Sequence, residues 1–137
     1  MIITGLKKLF FISLLLLFSN SLYGQAVLKF EKEYLRLDTL SLDDGFVVCQ
    51  AKYKNAGDAP LYLTSYVSTC PCLEVEFSEE ALAPGDSSFV TLKYSYKYEG
   101  KFRQSATLFY FQDGEEDGAR ARLTILGYVT DKKKKNQ

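Results

Sequence analysis

The stretch "GFVVCQAKYKN", from Gly45 to Asn55, decides the fold class of this chain. Apolar and polar residues alternate along it, so that each kind would occupy its own face. The apolar face would hold Val47, Cys49, Ala51 and Tyr53, and the polar face Gln50, Lys52 and Lys54. A repeat of two residues is typical of a β-strand with one side buried. The stretch therefore predicts a half-buried strand of a sheet.

Turn signals divide the rest of the chain into further short strands. Glycine permits a positive φ and proline cannot continue a strand ladder, so clusters of these residues mark chain reversals. Such clusters are "NAGDAP" (55–60), "APGDSS" (83–88), "YEG" (98–100) and "DGEEDG" (113–118). The segments around them contain alternating, β-branched and aromatic residues and show no helical repeat. We predict an all-β fold, an antiparallel β-sandwich of about seven to eight strands.

The first 25 residues, "MIITGLKKLFFISLLLLFSNSLYGQ", have the pattern of a targeting segment. A basic pair, Lys7 and Lys8, precedes an apolar run from Leu9 to Phe18, and small and polar residues follow up to Gly24. The run is ten residues long, whereas a membrane-spanning helix needs roughly 20. We predict a secretory signal peptide over residues 1–24 in preference to a retained membrane anchor. The protein is then extracytoplasmic, either periplasmic or secreted, with no retained membrane span.

The remaining chain has the size of one domain. We predict a single domain over residues 25–131 and a basic disordered tail over residues 132–137, which contain four consecutive lysines. Without Lys7 and Lys8 the chain has 15 basic and 17 acidic residues, a net charge of −2. This balance does not indicate a surface that follows phosphates, so we expect no nucleic-acid partner.

The order of the turn and strand motifs resembles that of a known family. Five motifs are similar in order and spacing to those of the DUF1573 family: "YKNAGDAPLYL" (53–63), "VSTCPCL" (67–73), "LAPGDSS" (82–88), "YEGKFRQSATL" (98–108) and "LTILGYV" (123–129). These are secreted bacterial domains of unknown function whose immunoglobulin-like fold is related to the major sperm protein and ASH domains. The resemblance implies an immunoglobulin-like sandwich and, by analogy of fold, a binding module. Pro71 departs from the pattern, because the family has glycine between the two cysteines.

The residue types that are missing exclude several chemistries. The sequence contains no histidine, and its one methionine is Met1. Catalysis by Ser-His-Asp or Cys-His groups, zinc sites that use histidine and blue-copper sites are therefore excluded. Carboxylates cluster where turns are expected, as at 79–80 and 115–117, and solvated loop charge is the ordinary state there. We expect no enzyme activity and no cofactor.

The three cysteines leave three interpretations open. In an oxidising compartment Cys70 and Cys72 could form a disulfide, although on an extended strand their Cα atoms would lie about 6.6 Å apart, near the upper limit for that bond. A bridge from Cys49 to either of them would leave one thiol over. The pair could instead hold a soft metal ion such as Cu(I), or act in redox chemistry. In the third interpretation all three side chains are packing material, with Cys49 in the core.

Outward-facing aromatic residues are the candidates for a partner surface. If Leu108 and Tyr110 face the core, Phe109 and Phe111 face outward, and the same parity leaves Phe89 outward. Two neighbouring strands would then share an exposed apolar patch, which marks an interface unless the N-terminal strand or a loop covers it.

These observations together predict a function class. We expect a non-enzymatic binding or assembly module for another protein or a cell-envelope component, which docks through the Phe109 and Phe111 face or through a sheet edge. One alternative is a Cu(I) or redox protein that uses Cys70 and Cys72. A further alternative is carbohydrate binding through exposed tyrosines such as Tyr62 or Tyr98.

Overall fold

The computed structural model describes residues 24–112 and 118–131, together with positions 5, 7–9 and 12. Most of the predicted signal peptide (1–24), the acidic segment at 113–117 and the predicted tail (132–137) lie outside the described residues, and what was expected of them stays a prediction. No helix in the described part of the chain is long and apolar enough to cross a membrane.

Nine β-strands make up most of the regular structure in the described residues. They are β1 (Leu28–Phe30), β2 (Tyr34–Arg36), β3 (Leu40–Ser41), β4 (Phe46–Asn55), β5 (Leu63–Ser68), β6 (Leu73–Glu76), β7 (Ser87–Ser95), β8 (Gly100–Tyr110) and β9 (Ala119–Thr130). The all-β prediction is confirmed. The count exceeds the expected seven to eight because the N-terminal segment forms three short strands instead of one or two.

The strands form two sheets that pack face to face. One sheet has the order β1-β4-β7-β6, and the other has the order β2-β9-β8-β5, with β3 also paired to β9. The chain changes sheet between β4 and β5, between β5 and β6 and between β7 and β8, whereas β6–β7 and β8–β9 are antiparallel neighbours within a sheet. This is the constant-type immunoglobulin arrangement with a divided first strand. The immunoglobulin-like prediction is confirmed.

The divided first strand introduces two parallel pairings. β1 is antiparallel to β4, whereas β2 and β3 run parallel to β9 in the opposite sheet. The N-terminal segment keeps one direction while it moves from one sheet to the other, and β9 runs the same way. The sandwich is therefore mixed at this edge, where the sequence predicted only antiparallel pairs.

The core lies between the two sheets and follows the predicted alternation in β4. Ala51 and Tyr53 are buried, and Val47 and Cys49 are half-buried against the same core. Among the least exposed side chains of the central strands are Val90, Leu92, Leu108, Leu123 and Ile125. Burial of each such aliphatic side chain contributes about 1.5–3 kcal/mol, against which the loss of conformational entropy must be set.

A fully buried amide organises the turn after β4. The Nδ2 of Asn55 donates to the carbonyl oxygens of Ala59 at 2.7 Å and Leu82 at 3.0 Å. Its Oδ1 accepts from the backbone amides of Gly57 at 3.0 Å and Val27 at 3.4 Å. Asn55 thus connects its own turn to the N-terminal segment and to the loop that precedes β7.

Gly57 is required in this turn because of space. A Cβ at this position would lie 2.7 Å from the backbone nitrogen of Val27 and 2.9 Å from the carbonyl carbon of Ala26, closer than real Cβ atoms approach other atoms. The motif N-x-G therefore joins two requirements, a buried amide at Asn55 and the absence of a side chain at Gly57.

Candidate functional site

The two neighbouring cysteines lie in the turn that takes the chain from β5 in one sheet to β6 in the other. The backbone amide of Leu73 donates to the carbonyl oxygen of Cys70 at 3.1 Å, which closes a four-residue turn with Pro71 at its second position. Proline favours that position because its ring fixes φ near the required value. The hydroxyl of Ser68 also donates to the Cys70 carbonyl, at 2.7 Å. Pro71 is thus suited to a tight turn at this point.

The turn brings the two sulfurs together. Their residues have Cα atoms 5.0 Å apart, and the structure places Cys70 and Cys72 as a disulfide pair. The extended-strand spacing of about 6.6 Å does not apply, because the residues occupy a turn instead of a strand. The backbone amide of Cys72 donates to the Sγ of Cys70 at 3.1 Å.

An open groove of about 1080 Å³ lies beside this turn at one end of the sandwich. One wall is the turn of Cys70, Pro71 and Cys72, and another is the connection between β7 and β8, at 96–99. Tyr98 in that connection is 84% exposed. The structure therefore brings together the cysteine pair and Tyr98, which the sequence suggested for separate functions.

Three aromatic side chains line the groove from the core side. The ring of Tyr94 packs against Phe102 at a centroid distance of 4.7 Å and against Tyr96 at 5.7 Å. Burial raises the pKa of the Tyr94 and Tyr96 hydroxyls, and Asp44 and Tyr94 raise that of Tyr96 further. These hydroxyls stay protonated at neutral pH. This set was not predicted from the sequence, although the spacing of two in "KYSYKY" (93–98) was a signal for it.

The hydroxyl of Tyr96 fixes the rim of the groove. It donates to the backbone carbonyl of Ser41 at 2.9 Å, with the carbonyl of Phe46 at 3.4 Å as a second acceptor. Tyr96 therefore ties β7 to the segment that precedes β4, and its role is structural.

Cys49 lies apart from the cysteine pair. It is paired with Leu92 in the register of β4 and β7, whereas the Cys72 carbonyl accepts from the amide of Ser95 further along β7. Burial raises the pKa of the Cys49 thiol. Within the described residues no three Cys, Asp or Glu side chains gather in a way that could hold a metal ion.

The three phenylalanines predicted to face outward do not form one patch. Phe89 is on β7, opposite Lys52 of β4, and is 52% exposed. Phe109 is on β8 in the other sheet and is half-buried, so it is less exposed than Phe89. Phe111 follows the end of β8 and is 55% exposed. The expectation of a shared patch is wrong because β7 and β8 are neighbours in sequence but belong to opposite sheets.

Tyr62, the other candidate for carbohydrate contact, is remote from the groove. Its backbone carbonyl accepts from the amide of Phe111 at 2.9 Å, beyond the last residue of β8, whereas Tyr98 precedes the first. Tyr62 is 43% exposed. The two tyrosines therefore lie at opposite ends of β8 and do not form one site.

The fold is shared with solved structures of low sequence identity. The ASH/PapD-like domain 7 of human CEP192 superposes with a TM-score of 0.57 at 11% identity, over 76% of this chain and 85% of that one. A protein of unknown function from Porphyromonas gingivalis W83 gives 0.58 at 16%, over 75% and 46%. The VesB protease of Vibrio cholerae gives 0.54 at 18%, over 74% and 31%. These identities establish similarity of fold alone, and the chain spans less than half of the last two proteins.

Comparison with curated proteins finds no match. The sequence profile of the family described as "Protein of unknown function (DUF1573)" matches residues 28–129, which extend from the start of β1 to the penultimate residue of β9. The matched segment contains Asn55 and Gly57, the Cys70–Cys72 turn and every strand of the sandwich. The chain therefore belongs to the DUF1573 family.

Proposed function

We propose that this protein is a non-enzymatic binding or assembly module that acts outside the cytoplasm and holds a protein or cell-envelope partner at its end groove. The observation that supports this most is the position of Tyr98, 84% exposed on a groove that the Cys70–Cys72 turn also lines. The extracytoplasmic location rests on the predicted signal peptide.

The groove has properties that favour binding. Tyrosine presents a large, stiff surface with a polar tip, and it is enriched where partners meet. The cysteine turn is held by its own backbone hydrogen bond and by that of Ser95 to the Cys72 carbonyl, at 2.9 Å. A wall of this kind loses little conformational entropy when a partner docks. Lys97 and Lys101 at the same groove add charge that can orient an acidic group.

Catalysis has little support in the same groove. The sequence has no histidine, and burial keeps the Tyr94 and Tyr96 hydroxyls protonated at neutral pH. General acid-base catalysis works best with a group whose pKa lies near the operating pH. These observations favour binding over reaction.

Site-specific photocrosslinking in the producing cell tests the proposal. A benzoylphenylalanine at position 98 is expected to give a discrete adduct with a partner, whereas the same residue at Tyr62, exposed at the far end of β8, is expected to give none. Both positions are exposed, so the fold is maintained in both. Adducts of equal yield from both positions, or none from position 98, would contradict the proposal.

A second candidate is thiol–disulfide exchange at Cys70 and Cys72. The observation that favours it is the Cys72 amide, which donates to the Cys70 Sγ at 3.1 Å and would stabilise negative charge on that sulfur. A thiolate of a partner dithiol would attack the Cys72 sulfur and form a mixed disulfide. Cys70 would leave as a thiolate and take a proton from solvent. The partner's second thiolate would then release Cys72, so that this chain gains two electrons and the partner becomes a disulfide.

Thiol counting tests the disulfide on which this candidate depends. The native protein is expected to show no reactive thiol except slow modification of Cys49, and two further thiols should appear after dithiothreitol and not after denaturant alone. Cys49→Ser is the matched control. Two free thiols in the untreated protein, in addition to Cys49, would show that Cys70 and Cys72 do not form a disulfide. Loading that protein with Cu(I) would then test the metal alternative.

A further inference from the structure

The outer face of the β2-β9-β8-β5 sheet carries an aligned set of positive charges. Five exposed cations on three adjacent strands define what we call the basic face: Arg36, Lys101, Arg103, Arg120 and Arg122. The described strand residues that share this face include no aspartate or glutamate. Positive charge is thus concentrated on this face, although the whole sequence has equal numbers of acidic and basic residues.

The strand register shows how the charges are arranged. Arg36 and Arg103 both pair with Leu126, one on each side of β9, so they lie about 9.6 Å apart across the sheet. Arg122 and Arg120 follow along β9, and Lys101 pairs with Tyr128 at the other end of the face. The cations extend over the length of eight residues, or about 27 Å. The basic face is therefore a stripe along the strands.

A small pocket lies at the middle of the stripe. It has a volume of about 170 Å³ and is lined by Tyr34, Arg103, Arg122, Thr124 and also Glu33. The hydroxyl of Thr124 is buried and hydrogen-bonded to that of Ser105 at 2.8 Å, which gives the pocket a fixed polar base. Arginine presents a planar fork of donors that fits a carboxylate, sulfate or phosphate group.

The polar and charged residues around the centre of this face indicate a polar ligand. Protein interfaces place apolar and aromatic residues at the centre and charges at the rim. Here the central row is Tyr34, Thr124 and Ser105, with arginines immediately on both sides. Single-stranded nucleic acid needs free aromatic faces for stacking. The Arg103 guanidinium already lies 5.6 Å from the centre of the Tyr34 ring, and Tyr128, the other exposed ring on this face, lies at the end of the stripe beside Lys101.

We propose that the basic face binds an acidic polysaccharide, an extended chain with repeated carboxylate or sulfate groups, with one anionic group seated between Arg103 and Arg122. Lys101 and Arg103 of the basic face also line the end groove, whereas Arg36, Arg120 and Arg122 do not, and the proposal does not depend on a partner at the groove. Asp38 follows β2 near one end of the stripe. The proposed seat for the anionic group is therefore between the central arginines, Arg103 and Arg122.

Binding of the full-length mature protein to immobilised polysaccharides tests the proposal. Polygalacturonate carries carboxylates, dextran sulfate carries sulfates, and neutral dextran carries no charge. We expect binding to one or both acidic polymers, none to neutral dextran, and release by 0.5 M salt, roughly the range where screening becomes short. The pair Arg103→Gln and Arg122→Gln should raise Kd by about tenfold or more.

The control has the same change of charge on the opposite sheet. Lys52→Gln with Lys54→Gln removes two exposed cations from β4, and Kd is expected to change less than about twofold. A second pair, Arg36→Gln with Lys101→Gln, is on the basic face but outside the pocket. It should also weaken binding, and it tests the same face if the first pair does not fold. Equal losses in the β4 control, tighter binding to oligo-dT or to phosphatidylglycerol vesicles, or no binding to either acidic polymer would overturn the proposal.

Discussion

The fold needs an amide side chain at position 55, because both polar atoms of that side chain make hydrogen bonds. Asn55 is fully buried and donates to two carbonyls while it accepts from two backbone amides. A buried donor or acceptor without a partner costs about 1–3 kcal/mol. The partners are Val27 and Leu82, which are distant in sequence, as well as the local turn.

Asn55→Ala is therefore expected to lower the free energy of unfolding by about 2–4 kcal/mol, measured by urea denaturation. Lys54→Ala, at the exposed neighbouring position, is the control and should change it by less than about 0.5 kcal/mol. A loss below 1 kcal/mol for Asn55→Ala would show that water replaces the amide and that the turn does not depend on it.

The importance of Asn55 could not be predicted from the sequence. The motif N-x-G was interpreted as an ordinary turn, and the turn itself was located correctly. The contacts to Val27 and Leu82 depend on the strand order, because they require β1 and the loop before β7 to meet beside β4. The local sequence pattern predicts the turn, but only the tertiary structure shows which distant backbone groups the turn residue binds.

At the scale of elements, the N-terminal segment is attached to both sheets, and it lies against the β4–β5 turn at Gly57. The amides of Ala56 and Asp58 donate to the carbonyls of Val27 and Gln25 at 2.8 and 2.9 Å. A methyl group on Gly57 would separate these two pieces of backbone. The consequence should be local release of the segment ahead of β1.

Gly57→Ala is expected to make the chain around residues 25–28 sensitive to proteolysis and to increase amide exchange there. Ala56→Ser adds one atom at the exposed neighbouring position and is the control. Limited proteolysis with mass spectrometry measures the effect. Unchanged cleavage in Gly57→Ala would mean that the neighbouring backbone moves aside at little cost.

The elements also show why the aromatic patch was mispredicted. Alternation correctly indicated that Phe89 and Phe111 are exposed. It could not reveal that β7 and β8 belong to different sheets, since a sheet change leaves no mark in the period of either strand. The cysteine turn was affected by the same limit, because the spacing expected of a strand was applied to residues that lie between two sheets.

At the scale of the whole molecule, three side chains whose burial makes them weaker acids, Cys49, Tyr94 and Tyr96, make the stability depend on pH in the alkaline range. Burial raises the pKa of Cys49, Tyr94 and Tyr96 in the folded protein. Each group therefore loses its proton more easily in the unfolded chain, where ordinary values are about 8.5 for cysteine and 10 for tyrosine. Their contribution is fully present below those values and is lost as the pH rises through the folded pKa.

We expect the melting temperature to fall as the pH rises above about 9. Tyr96→Phe should be less stable at pH 7, by about 1 kcal/mol for the lost hydrogen bond to Ser41, but should lose less stability between pH 9 and 11. Tyr98→Phe, at an exposed position, is the control and should follow the parent protein. An identical pH dependence in Tyr96→Phe and the parent protein would contradict the role of Tyr96.

The parallel pairing of β2 and β3 with β9 has a mechanical consequence. If the chain ahead of β1 and the chain beyond β9 are pulled apart, the paired strands must slide lengthwise past each other. Their hydrogen bonds then break together, whereas the bonds of a hairpin pulled open from its end break one at a time. The domain should therefore resist tension between its ends more strongly than its equilibrium stability indicates.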